Sequence, residues 1–145
     1  MAGRTNEADV QPGMMTEAVT YAGTILTLTA TAGDPPSYDL CDSEQPDGYS
    51  FNTTKDPITG IAGINVIRGV IALIEGQEAE LLLLPTNIEI NVGDHIETAA
   101  QGTVDGNAGA GWIVGKALQY RAINAGATAA TRYIRVRITK YYKAA

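Results

Sequence analysis

The longest apolar region of the chain, Ile61 to Leu84, is punctuated by Gly63, Gly69 and Gly76 and preceded by Gly60, and no other feature restricts the possible folds as much. Ile64, Ile67, Ile71 and Ile74 recur at spacings of three and four, as on one face of a helix. Each glycine inside a helix costs about 1 kcal/mol relative to alanine, however, and the region is rich in β-branched residues, which suit a pleated surface. The expectation is therefore two strands, 66–74 and 78–84, forming a hairpin around Glu75-Gly-Gln77, with Glu78 and Glu80 outward and Ala79, Leu81 and Leu83 inward.

The rest of the chain reads the same way. Thr20–Thr31 alternates Thr with Ile and Leu and predicts a strand. Pro35-Pro36 ends it, because prolines have no N–H to give a sheet ladder. Gly48–Thr54 predicts a short strand, Lys55–Gly60 a turn, and Asp39–Asp47 an acidic loop. Beyond Pro85, Ile88–Val92, His95–Thr98, Thr103-Val104 and Trp112–Leu118 are short strands separated by Gly-Asp, Gln-Gly and glycine-rich connections. A small-residue loop, 122–131, leads to the clearest strand, Tyr133–Tyr142, in which Ile134, Val136 and Ile138 share one face and Arg135, Arg137 and Thr139 the other. The fold class expected is all-β, a small barrel or sandwich, with a single domain over 19–145. Residues 1–18 lack periodicity and read as an extended arm outside the core.

Composition narrows the function classes. The chain has 145 residues, is 45% hydrophobic and carries one cysteine, so it is long enough for a core without a disulfide framework. Val70–Ile74 and Leu81–Leu84 are far shorter than the roughly 20 apolar residues of a membrane helix, and residues 1–18 do not look like a secretion signal. The net charge of −6 is unevenly spread: all sixteen acids lie at or before Asp105, and seven Lys/Arg lie at or after Lys116. The first 115 residues carry −13 and the last 30 carry +7, so a basic C-terminal strand is expected to lie against acidic neighbours. With a pI of about 4.6 and no interleaved aromatics for base stacking, a nucleic-acid partner is not expected.

Candidates for chemistry are few. His95 is the single histidine, which excludes multi-histidine metal sites. Cys41 is surrounded by Asp39, Asp42 and Glu44, which disfavour a thiolate nucleophile. The acidic loop lacks the spacing of a calcium loop, and Gly106–Gly115 fits neither phosphate-loop template, precedes a strand and reads as a flexible hairpin connection. Asn52-Thr-Thr54 matches a glycosylation acceptor without the secretion signal that would give it meaning. No catalytic residues, no cofactor and no metal are expected, and a binding or structural protein is favoured over an enzyme.

One stretch is more specific. Gly93-Asp94, Gly102-Thr-Val104 and Val114-Gly-Lys-Ala-Leu118, followed by the strand at 133–140, resemble in order the short motifs of the capsid decoration (cement) proteins of tailed viruses, over roughly residues 86–140. The resemblance implies a non-enzymatic virion protein on the outer capsid surface, often a homotrimer, that clamps subunits of the major capsid protein and needs no nucleic acid or membrane. On that reading the arm, with Thr5, Asn6, Val10, Met14 and Met15, is the shell contact, adding as a strand to a capsid subunit, and its deletion leaves the β domain folded. Arg132, Arg135 and Arg137 then lie at subunit interfaces. Two alternatives are a tail or fibre component of such a virus and a β module like the cofactor-carrier domains. The latter finds only Lys55 near a hairpin tip, without the flanking residues of a carrier.

Overall fold

The computed structural model describes residues 10–51, 65–107 and 109–144. The all-β expectation holds. Among the described residues, twelve strands form a five-stranded closed barrel, a five-stranded sheet and a small two-stranded ribbon.

The barrel consists of β1 (Val10–Met15), β2 (Ile25–Leu28), β3 (Ser37–Leu40), β4 (Gly48–Ser50) and β5 (Asn65–Ala72), in the order β1-β3-β2-β4-β5. The ring closes because β1 pairs antiparallel with β5 and parallel with β3. Met15, Val19, Leu26, Leu40 and Val70 form one buried cluster, against which Tyr38 packs. There is little room within it. A Cβ on Gly13 would sit 2.5 Å from Val70 Cγ2 and 3.0 Å from the Tyr38 ring, and one on Gly48 would sit 3.0 Å from Val70 Cγ1. A five-stranded ring is narrow, and glycine on two strands leaves space for the larger side chains opposite.

The sheet follows the order β6-β12-β10-β8-β9, with β6 (Glu78–Leu82), β8 (His95–Thr98), β9 (Val104–Gly106), β10 (Gly111–Ala117) and β12 (Tyr133–Lys143). β12 is central to one half, paired with both β6 and β10. Its Ile134, Val136 and Ile138 are buried as the alternation requires. The ribbon pairs β7 (Ile88–Ile90) with β11 (Arg121–Ile123). Ile25, Tyr49 and Ile71, on the barrel strands, and Cys41, just after β3, join Leu81, Ile96, Val114 and Ile134 of the sheet in one larger cluster. The barrel wall and the sheet thus share a core.

Three sequence expectations are corrected. Residues 66–74 and 78–84 do not form a hairpin. Both edges of β5 are occupied, by β1 and β4, so β6 crosses to the sheet, and the Gly76 N–H and the Gln77 carbonyl anchor the turn to Ile138 at 2.9 and 2.7 Å. The glycine-rich segment before β10 is no hairpin connection either, because β8 lies between β9 and β10. The arm is, from Val10 onward, a barrel strand: Val10, Gln11 and Gly13–Met15 pair with β5 and Met15 is 5% exposed. Weak periodicity hid it, since Pro12 and Gly13 fall at a register shift between Gln11 and Gly13. The predicted turn at 55–60 lies outside the described residues.

Candidate interaction surfaces and the seam between the layers

The expected shell-contact residues are dispersed. Thr5 and Asn6 lie outside the described residues. Val10 and Met14 are half-buried and Met15 is buried. Strand addition by residues 10–15 is already complete within the chain, because β1 has β3 on one edge and β5 on the other.

The three arginines divide. Arg135 and Arg137 are exposed on β12, opposite Glu80 and Glu78 of β6 in the strand register. Arg137 Nη2 lies 3.4 Å from Glu78 Oε2 and Lys140 Nζ lies 4.0 Å from Asp47 Oδ1. The basic C-terminal strand therefore meets acidic neighbours inside its own subunit. Arg132 differs, being 7% exposed and set where the barrel meets the sheet.

That seam is built mainly from backbone. The Leu82 N–H donates to Gly23 O at 3.2 Å, Gly102 N–H to Cys41 O at 2.7 Å, Ser43 N–H to Ala99 O at 3.1 Å, and the Tyr133 hydroxyl to Ala22 O at 2.6 Å. The acidic loop contributes to it. Asp42 Oδ1 accepts the Gln101 N–H at 2.8 Å, and Asp47 Oδ2 accepts the Leu28 N–H at 2.8 Å. Asp39 accepts a hydrogen bond from the Thr16 hydroxyl but lies on β3, so the loop expected over 39–47 begins only after Leu40. These carboxylates orient loops against β1, β2 and the 3₁₀ turn at Ala100–Gly102, and among the described residues no three His, Cys, Asp or Glu side chains gather as a metal site.

Cys41 is fully buried, and its thiol is pushed up to about 11, chiefly by burial, with Glu44 and Asp47 adding to the shift. The direction follows the sequence reading, although desolvation exceeds the neighbouring charges as its cause. His95 is half-buried on β8, its Nδ1 hydrogen-bonded to the Tyr141 hydroxyl and its ring edge-on to that tyrosine at 5.9 Å. Lys55 and Asn52 lie outside the described residues.

Sequence reasoning missed a cavity of about 370 Å³ at the seam, lined by Tyr21, Thr24, Leu40, Leu82, Leu84, Gln101 and Arg132 among others. Arg132 follows a 3₁₀ turn, Ala129–Thr131. Its carbonyl accepts the Leu83 N–H at 2.7 Å and its Nη1 donates to Leu83 O at 3.2 Å. Its Nε is buried without a partner among the described residues. Only the end of the small-residue loop marked the position, as an isolated basic residue before an apolar strand.

Among the described residues, no helix is long and apolar enough to cross a membrane. No protein-family model matches the chain, and no curated protein does. Among solved structures, the N base of the head fiber protein gp8.5 of bacteriophage phi29 is similar in fold, with a TM-score of 0.58 over 88% of this chain and 91% of that one, at 12% sequence identity.

Proposed function

We propose that the chain is a structural protein of a phage virion, carried on the outside of the capsid and lacking enzymatic activity. The observation that supports this reading best is the agreement in fold with a phage head-fiber base along 91% of that base. The agreement takes in both the barrel and the sheet, since it covers 88% of the present chain. The decoration-like motifs at 93–118 point independently to the capsid exterior. On this reading the chain seats on the major capsid protein as a homo-oligomer, a trimer by the resemblance, and clamps neighbouring capsid subunits.

A second reading, the base of a fiber set at selected capsid positions, draws its support from the head-fiber neighbour itself. Quantitative mass spectrometry of purified particles of the encoding virus, with the major capsid protein as reference, separates them. About one copy per capsid subunit supports decoration, a much smaller fixed ratio supports a fiber base, and absence from the particles overturns the virion role.

A further inference from the structure

We propose that the seam cavity is a binding site for a carboxylate, held by the Arg132 guanidinium. A guanidinium stays protonated at any physiological pH, and burying such a charge without an anion is costly. Yet Arg132 is 93% buried by its 7% exposure, none of the ion pairs among the described residues includes it, and its one side-chain hydrogen bond, to Leu83 O, uses Nη1. The unpartnered Nε leaves the guanidinium with fewer hydrogen bonds than it can make, and a carboxylate in the cavity offers two acceptor oxygens to its free N–H groups.

The cavity fits one carboxylate better than a phosphate. Two of its hydroxyl donors are engaged: Thr24 Oγ1 donates to Tyr21 O at 2.6 Å and Thr103 Oγ1 to Ala100 O at 2.5 Å. A carboxylate can be held by the guanidinium alone, without the further donors that a phosphate's three oxygens would call on. The walls contributed by Leu40, Leu82, Leu84 and Pro85 suit a short apolar body behind the charged group, and 370 Å³ is within the range of small-ligand pockets. Tyr21, 41% exposed, stands with the exposed Thr20 and Gln101 among the lining residues that face solvent. The carboxylate could belong to a small aliphatic acid or to a glutamate side chain of a neighbouring protein. The inference does not depend on the virion reading, and its failure would leave that reading untouched.

Titration of the full ¹⁵N-labelled chain with butyrate, followed at the Arg132 Nε–H and at the Leu84 and Gln101 amides, tests it. Saturable shifts of these signals are expected, with binding at least tenfold weaker for butyramide, which has the same shape without the charge. A parallel titration with a capped peptide containing one glutamate identifies the source: tighter saturation by the peptide assigns a protein side chain, and tighter saturation by butyrate a free acid. Arg132→Gln should abolish the shifts. If that variant does not fold, the comparison of butyrate with butyramide on the unaltered chain still decides, and equal or absent shifts overturn the proposal.

Discussion

Gly115 shows how one residue can carry a constraint invisible in composition. It lies at a register shift in β10, opposite Ile138 of β12, and a Cβ there would sit 2.2 Å from the Arg137 carbonyl oxygen and 2.5 Å from Val136 Cγ1. The obstruction includes backbone, which cannot swing aside as a side-chain tip can. Gly115→Ala should therefore cost about 2–3 kcal/mol, read as a fall in the urea midpoint, and an unchanged midpoint would mean that the two strands separate readily. Cys41 gives a second prediction at this scale. Its thiol titrates near 9.0 when free and at about 11 in the folded chain, so the unfolded chain loses the proton first as pH rises. Stability from this group is complete below pH 9 and declines between pH 9 and 11, by on the order of 2–3 kcal/mol. Tyr38 and Tyr133 are also raised by burial, so the cysteine contribution is the difference between the unaltered chain and Cys41→Ala. Parallel stability–pH curves for the two proteins would refute it.

Among the elements, β1 departs furthest from expectation and has the largest consequence. It bridges β3 and β5, and without it the barrel has two open edges and loses the buried Met15. Deleting residues 1–16 should lower stability by at least about 3 kcal/mol, since truncating a single buried methionine to alanine already costs about 2–5. A dispersed amide spectrum and an unchanged urea midpoint for the truncated chain would show the strand to be dispensable, as an outlying arm would be. The charge pattern, by contrast, was legible at this scale. The basic face of β12 and the acidic face of β6 were evident from alternation, and the sheet places Arg135 beside Glu80 and Arg137 beside Glu78. Such exposed pairs contribute about 0–1 kcal/mol each. They aid strand pairing and leave little of that charge for a partner.

At the scale of the molecule, barrel and sheet are expected to unfold together. The larger core cluster contains residues of both, and main-chain hydrogen bonds from Leu82, Gly102 and Ser43 cross the seam. Trp112, edge-on to Tyr142 at 5.4 Å, reports on the sheet, while thiol labelling of Cys41, just after β3, reports on the barrel side. Both probes should give one urea midpoint; midpoints well apart would mean two independent units. The same interlocking bears on the virion reading, because a rigid two-layer body presents a fixed surface to a capsid, at lower ordering cost than a flexible arm.

Local chemistry determined much of this protein. Glycine spacing excluded long helices, β-branched alternation marked the strands, and Ile134, Val136 and Ile138 declared the inward face of β12, because side-chain alternation is a property of the strand itself. Partner choice between strands has no such local record. Whether β6 folds back on β5 or crosses to β12 depends on which edges other strands already occupy, and β1 is a strand only because β3 and β5 leave a gap of its width. The Arg132 cavity belongs to the same category. Its walls come from segments more than a hundred residues apart, Ala18 to Arg132, and only the packing of barrel against sheet brings them around one buried charge.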